Sequence, residues 1–418
     1  MRALLLVFLL LCGCAAKDDG REVVKFWAMG REGEVVAELI PEFERLNPDI
    51  RVDLQQIPWS AAHEKLLTAF AGRVTPDVAQ LGSSWVPELV ALGALEPLDR
   101  AITGSKVVEP RDFFPGGWNG NVINGRAWGI PWYSDTRILF YRSDLLRDAG
   151  FAQVPDNWAD WVRAMRAIKA RANPRDFAIF LPINEYEPLL AFALQQPEPL
   201  LRDGGRHGNF QSPGFVRASN FYLDLFNQGL APRATNTQIS NIYDEFAKGH
   251  FAFIITGPWN IGEFKTRLPP ERKDDWMTAP LPGPTGPGLS IAGGSSLAIF
   301  ARSERKAAAW KLVEYLSRPE VQVRFFELTG DLPPRRSAWK APLLASDPYA
   351  TAFKEQLERT EAPPAVPEWE RIGQQMRIVS ERAVAGQISA AQFRKTLDAD
   401  TNAMLEKRRW KLNREAAQ

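Results

Sequence analysis

Apolar residues along this chain switch repeatedly between a period of two and a period near 3.6, and that switching limits the folds open to it. Residues 23–28 read as a β-type run, and Ile50, Val52 and Leu54 alternate with polar neighbours over 50–57. Between them Val35, Val36, Leu39, Ile40, Phe43 and Leu46 recur at helical spacing, with Pro41 expected to bend or interrupt the helix. Residues 30–33 read as a loop, 64–70 as a helix and 77–81 as a short strand. Such a β–loop–α–β succession predicts an α/β layer with a mostly parallel sheet. The pattern resumes later. Residues 128–132, 136–141, 251–256 and 295–300 are strand-like, and helices are expected over 306–316, 370–385 and 390–407. Trp158, Trp161, Val162, Met165 and Ile168 mark the packed face of another helix. Residues 269–290, rich in Pro and Gly, read as a connection, and 361–367 as a second break. No fixed-period repeat marks a solenoid.

The core of such a fold must come from apolar burial. The chain holds two cysteines, both near its start. Met1-Arg2 precedes an apolar run over 3–11 and then Cys12-Gly13-Cys14. A positive start, a short apolar core and a small residue before a cut describe a secretory signal, too short to span a bilayer as a mature helix. Leu11-Cys12-Gly13-Cys14 resembles a bacterial lipobox, with cleavage after Gly13 and lipid on Cys14. The expected organisation is therefore a signal peptide over 1–13 and a lipidated tether over 14–21. The mature chain then has no disulfide and no thiolate chemistry.

Composition excludes several classes. Net charge is +1, so no nucleic-acid surface is expected. His63, His207 and His250 are far apart, and no metal-ligand spacing is present. No cofactor is expected. The unusual count is 14 Trp against 7 Tyr. Indoles without redox or metal chemistry suit pyranose rings, whose C–H faces stack while their hydroxyls need planar polar partners.

Five segments place aromatic or polar residues beside Gly or Pro, mostly at strand ends, where ligands sit in α/β sheets. Gln80–Pro87 carries Ser83, Ser84 and Trp85, and the serines also suit a helix cap. Ile130–Arg137 alternates so that Tyr133, Asp135 and Arg137 share one face and Trp132, Ser134 and Thr136 the other. That face offers a stacking ring, a hydroxyl acceptor and a donor fork, although Asp135 and Arg137 would also suit a surface ion pair. Trp259 follows a strand and a Gly-Pro turn. Gly293 and Gly294 would let a ligand approach the backbone. In the fifth segment, 329–336, two prolines stiffen a loop bearing Arg335 and Arg336, of which one is expected to donate to the ligand.

These segments resemble, in the same order, those of the extracellular solute-binding proteins of carbohydrate ABC importers, the family that includes maltose- and trehalose-binding proteins. The matching stretches include "VVKFWAMG", "TPDVAQLGSSWVPEL", "GIPWYSDTRILFYRSDLL", "FAFIITGPWNIGEF", "AGGSSLAIF" and "YLSRPEVQVRFFELTGDLPPRR". The resemblance implies an α/β two-lobe periplasmic-binding-protein clamp, type II-like, with mixed β-sheets flanked by helices and the ligand in the interlobe cleft. One lobe would comprise 21–135 and 280–318, the other 136–279 and 319–412, with crossings near Asp135, Ala279 and Arg318. Family members often place an acidic or amide residue in the first loop, and here Glu32 or Glu34 could fill that place. The implied partners are a neutral sugar, foremost an α-gluco-disaccharide such as maltose or trehalose, and the importer's permease. The protein would be a monomer in the periplasm or another extracytoplasmic space, on the membrane only through its lipid. The alternative reading is the same clamp for a monosaccharide or a polyol phosphate. A lipid-anchored glycoside hydrolase is the competing class, but Asp135, Glu185 and Glu187 form no convincing catalytic pair by spacing, and no nucleophile elbow is present.

Overall fold

In the computed structural model, which describes residues 20–416, the two hydrophobic periods become two main sheets with helices against them. The lipobox and Cys14 lie outside the described residues. Strand β1 (Glu22–Met29) buries Val24, Phe26 and Ala28, the alternate positions of its run. It pairs in parallel with β2 (Ile50–Ile57) and β3 (Val78–Gly82). Parallel neighbours need a crossover, and helices supply it. The first of these follows β1 without the expected loop, coiling over Gly30–Val35 so that Val35 and Val36 reach the core. Pro41 interrupts it as expected: a 3-10 turn precedes a second helix, Ile40–Leu46, with the proline in its first turn.

The chain then builds β4 (Ile130–Asp135), enters the second lobe at β5 (Ile138–Arg142), and adds β6 (Ile179–Phe180), β7 (Phe253–Thr256) and β8 (Trp276–Ala279). Their order is β8-β5-β7-β6. β8 lies inside the stretch read as a connection. Its Pro- and Gly-rich surroundings mask a four-residue strand that packs Trp276 on Tyr349, with ring centroids 4.0 Å apart. The chain returns to the first lobe as β9 (Gly293–Ile299), giving the order β2-β1-β3-β9-β4. β9 runs antiparallel to both neighbours, so the first sheet is mixed, with its other four strands running one way as the mostly parallel reading expects. A strand arriving from the other lobe is free of the handed helical crossover that enforces parallel pairing.

A helix lies at the third expected crossing. Helix Pro319–Thr329 puts Val321 and Phe325 into the first-lobe core, where Phe325 stacks on Trp132 at 4.5 Å. The same helix packs Val323 and Phe326 against the second-lobe cluster of Ile138, Phe140 and Phe180, so it straddles the crossing expected near Arg318. In the second lobe Trp158 and Trp161 are core residues, and Trp158 stacks on Phe221 at 4.0 Å. No described helix is long and apolar enough to cross a membrane.

Candidate functional site: the interlobe cleft

Between the lobes lies a cleft of about 540 Å³, within the size range of small-molecule sites. Strand ends and helix starts converge on it. From the first lobe come Glu32, Ser83, Ser84 and Trp85, the last residues of β4, and the first of β9. Glu32 is buried at the start of the helix after β1, and it organises that wall. Its Oε1 accepts from the Tyr133 hydroxyl at 2.9 Å and its Oε2 from the Trp59 indole at 3.2 Å. Trp59 meets Trp85 edge to face at 5.6 Å. Ser83 donates to the Gly294 carbonyl at 2.9 Å, so this serine ties β3 to β9 instead of capping a helix. Of the two candidate glutamates, Glu32 faces the cleft, while Glu34 is exposed and paired with Arg31 at 3.0 Å.

Gly294 fixes how β4 and β9 meet. Its φ is +104°, and a Cβ there would collide with the Tyr133 carbonyl oxygen. The register shifts immediately afterwards, between Ser295 and Ser296. Such a bulge re-aims neighbouring side chains. The period-two reading of β4 holds as far as Arg137: Tyr133, Asp135 and Arg137 line the cleft, while Trp132, Ser134 and Thr136 are buried behind it.

The second wall comes from helix starts. Trp259 opens helix Trp259–Arg267, Glu187 opens Glu187–Leu194, and Glu370 and Gln374 lie one turn apart on Trp369–Val384. Arg137 joins the walls. It pairs with Asp135 at 2.9 Å, approaches Glu187 at 3.9 Å, and lies 4.7 Å from the ring centre of the exposed Trp259. The Asp135–Arg137 pair is thus real, and it stands inside the cleft.

Arg335 and Arg336 do not reach the cleft. Arg335 is buried against Asp112 at 2.7 Å and the Ser317 carbonyl at 2.8 Å. Arg336 pairs with Glu358 at 2.7 Å and donates to the carbonyls of Arg111 and Phe113. A buried guanidinium needs fixed acceptors, and here those lie far away in sequence. From the same loop it is Asp331 that lines the cleft. Burial, reinforced by the charges of Glu32 and Asp135, pushes its carboxyl well above the usual carboxylate range. Burial also raises the Tyr133 hydroxyl, with Asp331 and Glu32 adding to it. Trp59, Tyr186, Asp331, Glu370 and Gln374 went unidentified in the sequence. The signal that could have found Trp59 was its place after Pro58 at a strand end.

Five carboxylates and one guanidinium thus face a cavity with aromatic rings on both sides. Such a lining can stack flat apolar faces and accept from several hydroxyls. Among the described residues no group of His, Cys, Asp and Glu could hold a metal ion.

The architecture matches that of the sugar-binding protein MalE from the phytopathogen Xanthomonas citri, with TM-score 0.92 and 54% identity over 94% of this chain and 99% of that one. The maltotriose-binding protein of Pyrococcus abyssi is 24% identical over 84% of this chain and 74% of its own length. The diacetylchitobiose binding protein DasA of Streptomyces coelicolor is 22% identical over 87% of each chain. Residues 29–323 match the model of the bacterial extracellular solute-binding protein family. With its two lobes, its interlobe cleft and a family match over most of its length, this chain belongs to the bacterial extracellular solute-binding proteins, which bind their substrates and are not enzymes.

Proposed function

We propose that this protein is the sugar-capturing component of an ABC importer, and that its ligand is a neutral oligosaccharide, foremost an α-gluco-disaccharide such as maltose or trehalose. The observation that carries the reading is the cleft lining: Trp59, Trp85, Tyr133, Tyr186 and Trp259 around Glu32, Asp135 and Arg137. Aromatic faces on both walls exceed what one pyranose ring covers, which favours at least two rings. The similar MalE of Xanthomonas citri is a sugar-binding protein, and the more distant relatives bind maltotriose and diacetylchitobiose. The excess of acidic side chains disfavours the polyol phosphate alternative, since an anion would meet five carboxyl groups and one cation.

In this reading the sugar first meets one wall and the lobes then close on it, because the closed form binds it more tightly. The closed lobes present a surface to the permease. A lipid on Cys14 anchors the protein, as a monomer, to a membrane of the cell envelope, in the periplasm or another extracytoplasmic space.

Titration calorimetry with glucose, maltose, trehalose, sucrose, maltotriose and a polyol phosphate tests this. Micromolar or tighter binding of an α-gluco-disaccharide, about −8 kcal/mol or better, is expected. Comparable affinity for glucose alone would overturn the disaccharide reading. Binding of the phosphate alone would overturn the sugar reading.

A further inference from the structure

The last helix, Glu406–Ala416, lies away from the cleft. Its sequence EKRRWKLNREA carries five cations against two carboxylates, in a chain whose net charge is only +1. The cations divide between two faces. Arg408 donates from Nε to the Gly205 carbonyl at 3.1 Å, and Arg409 from Nη1 to the carbonyls of Arg206 and Asn402 at 3.1 and 2.8 Å. These bonds, with buried Leu405, seat the helix on the second lobe. The opposite face holds Lys407, Trp410, Lys411 and Arg414, at i, i+3, i+4 and i+7, all exposed. Trp410 is 60% exposed, and the Arg414 guanidinium lies 4.7 Å from its ring centre.

Single exposed apolar side chains are ordinary. An indole set in a stripe of three cations joins on one face the two side-chain types that an anionic headgroup layer attracts. Indoles favour that interface, and Lys and Arg are drawn to anionic lipids. Four side chains of one short helix offer far less than the roughly 800 Å² per partner that a stable protein interface buries. We propose that this face docks on an anionic phospholipid surface, holding the second lobe at the membrane. The proposal is independent of sugar identity and of lipid on Cys14.

The test mixes the full chain with vesicles of brominated phosphatidylglycerol or brominated phosphatidylcholine and compares tryptophan quenching with that of W410F. The quenching lost in W410F should be at least about threefold larger on the anionic vesicles and should fade at high salt. The triple variant K407E/K411E/R414E should show none of it, with solute affinity and circular dichroism unchanged. Equal quenching of wild type and W410F overturns the proposal, as does equal, salt-insensitive quenching on both lipids. Impaired transport in the triple variant with normal vesicle quenching would assign the face to a protein partner and overturn it as well.

Discussion

On the first-lobe side of the cleft, Tyr133 and Trp59 donate to one carboxylate, Ser83 ties two strands together, and Tyr133 keeps only 7% of its surface exposed. On the second-lobe side, Trp259 stands 43% exposed at the start of its helix, braced by an arginine from the strand connection. The first wall is set before any ligand arrives, since its polar groups already satisfy one another. The second offers a bare ring. Orientation is therefore a property of one wall and adhesion of the other, and this division limits the ordering cost of binding to few side chains.

The sharpest way to break this contrast is Gly294→Ala. The positive φ and the collision with the Tyr133 carbonyl should cost about 3 kcal/mol or more, lowering the melting temperature and the affinity together. A variant with wild-type melting would mean that the first wall is not preset. Trp259→Ala comes next and should separate the two properties. Losing a stacking platform should weaken sugar binding at least about tenfold, or 1.4 kcal/mol, with melting almost unmoved, because the ring is exposed in the free protein. Unchanged affinity in calorimetry would move adhesion to Trp59 or Tyr186. The smallest effect is one of slope. The Asp331 carboxyl is raised in the folded state from an ordinary value of 3.8. Its contribution to stability is full below that value and lost as pH rises through the shifted one. Asp331→Asn should flatten that segment of the stability–pH curve, and an unaltered curve would detach Asp331 from the first wall's electrostatics.

Much of the first wall was legible because period-two alternation is a local property. Tyr133, Asp135 and Arg137 could be placed on one face from the sequence, as could the buried partners between them. Gly293 and Gly294 were legible as a close approach, although what approaches Gly294 is the β4 backbone. The second wall was harder to read. Glu370 and Gln374 sit on a helix whose pattern looks like any amphipathic helix, and only the return of the chain to the cleft gives them a role. The fifth segment shows why adjacency misleads: Arg335 finds Asp112, and Arg336 finds Glu358, while the shorter Asp331 faces the cavity. The one reversed strand, β9, was illegible for a related reason. A strand that comes home from another lobe leaves no local trace of its orientation.

That homecoming strand also sets a timetable. β4 joins the first sheet only through β9, so Tyr133 and Asp135 have no strand beside them in that sheet until residues 293–299 have been made and delivered. Contacts of such long sequence separation form late and slowly. A nascent chain therefore carries its cleft residues for more than 150 positions without the frame that gives them meaning. In that interval the first sheet lacks its β9–β4 edge. The order of the strands thus postpones completion of the first sheet until most of the chain has been made.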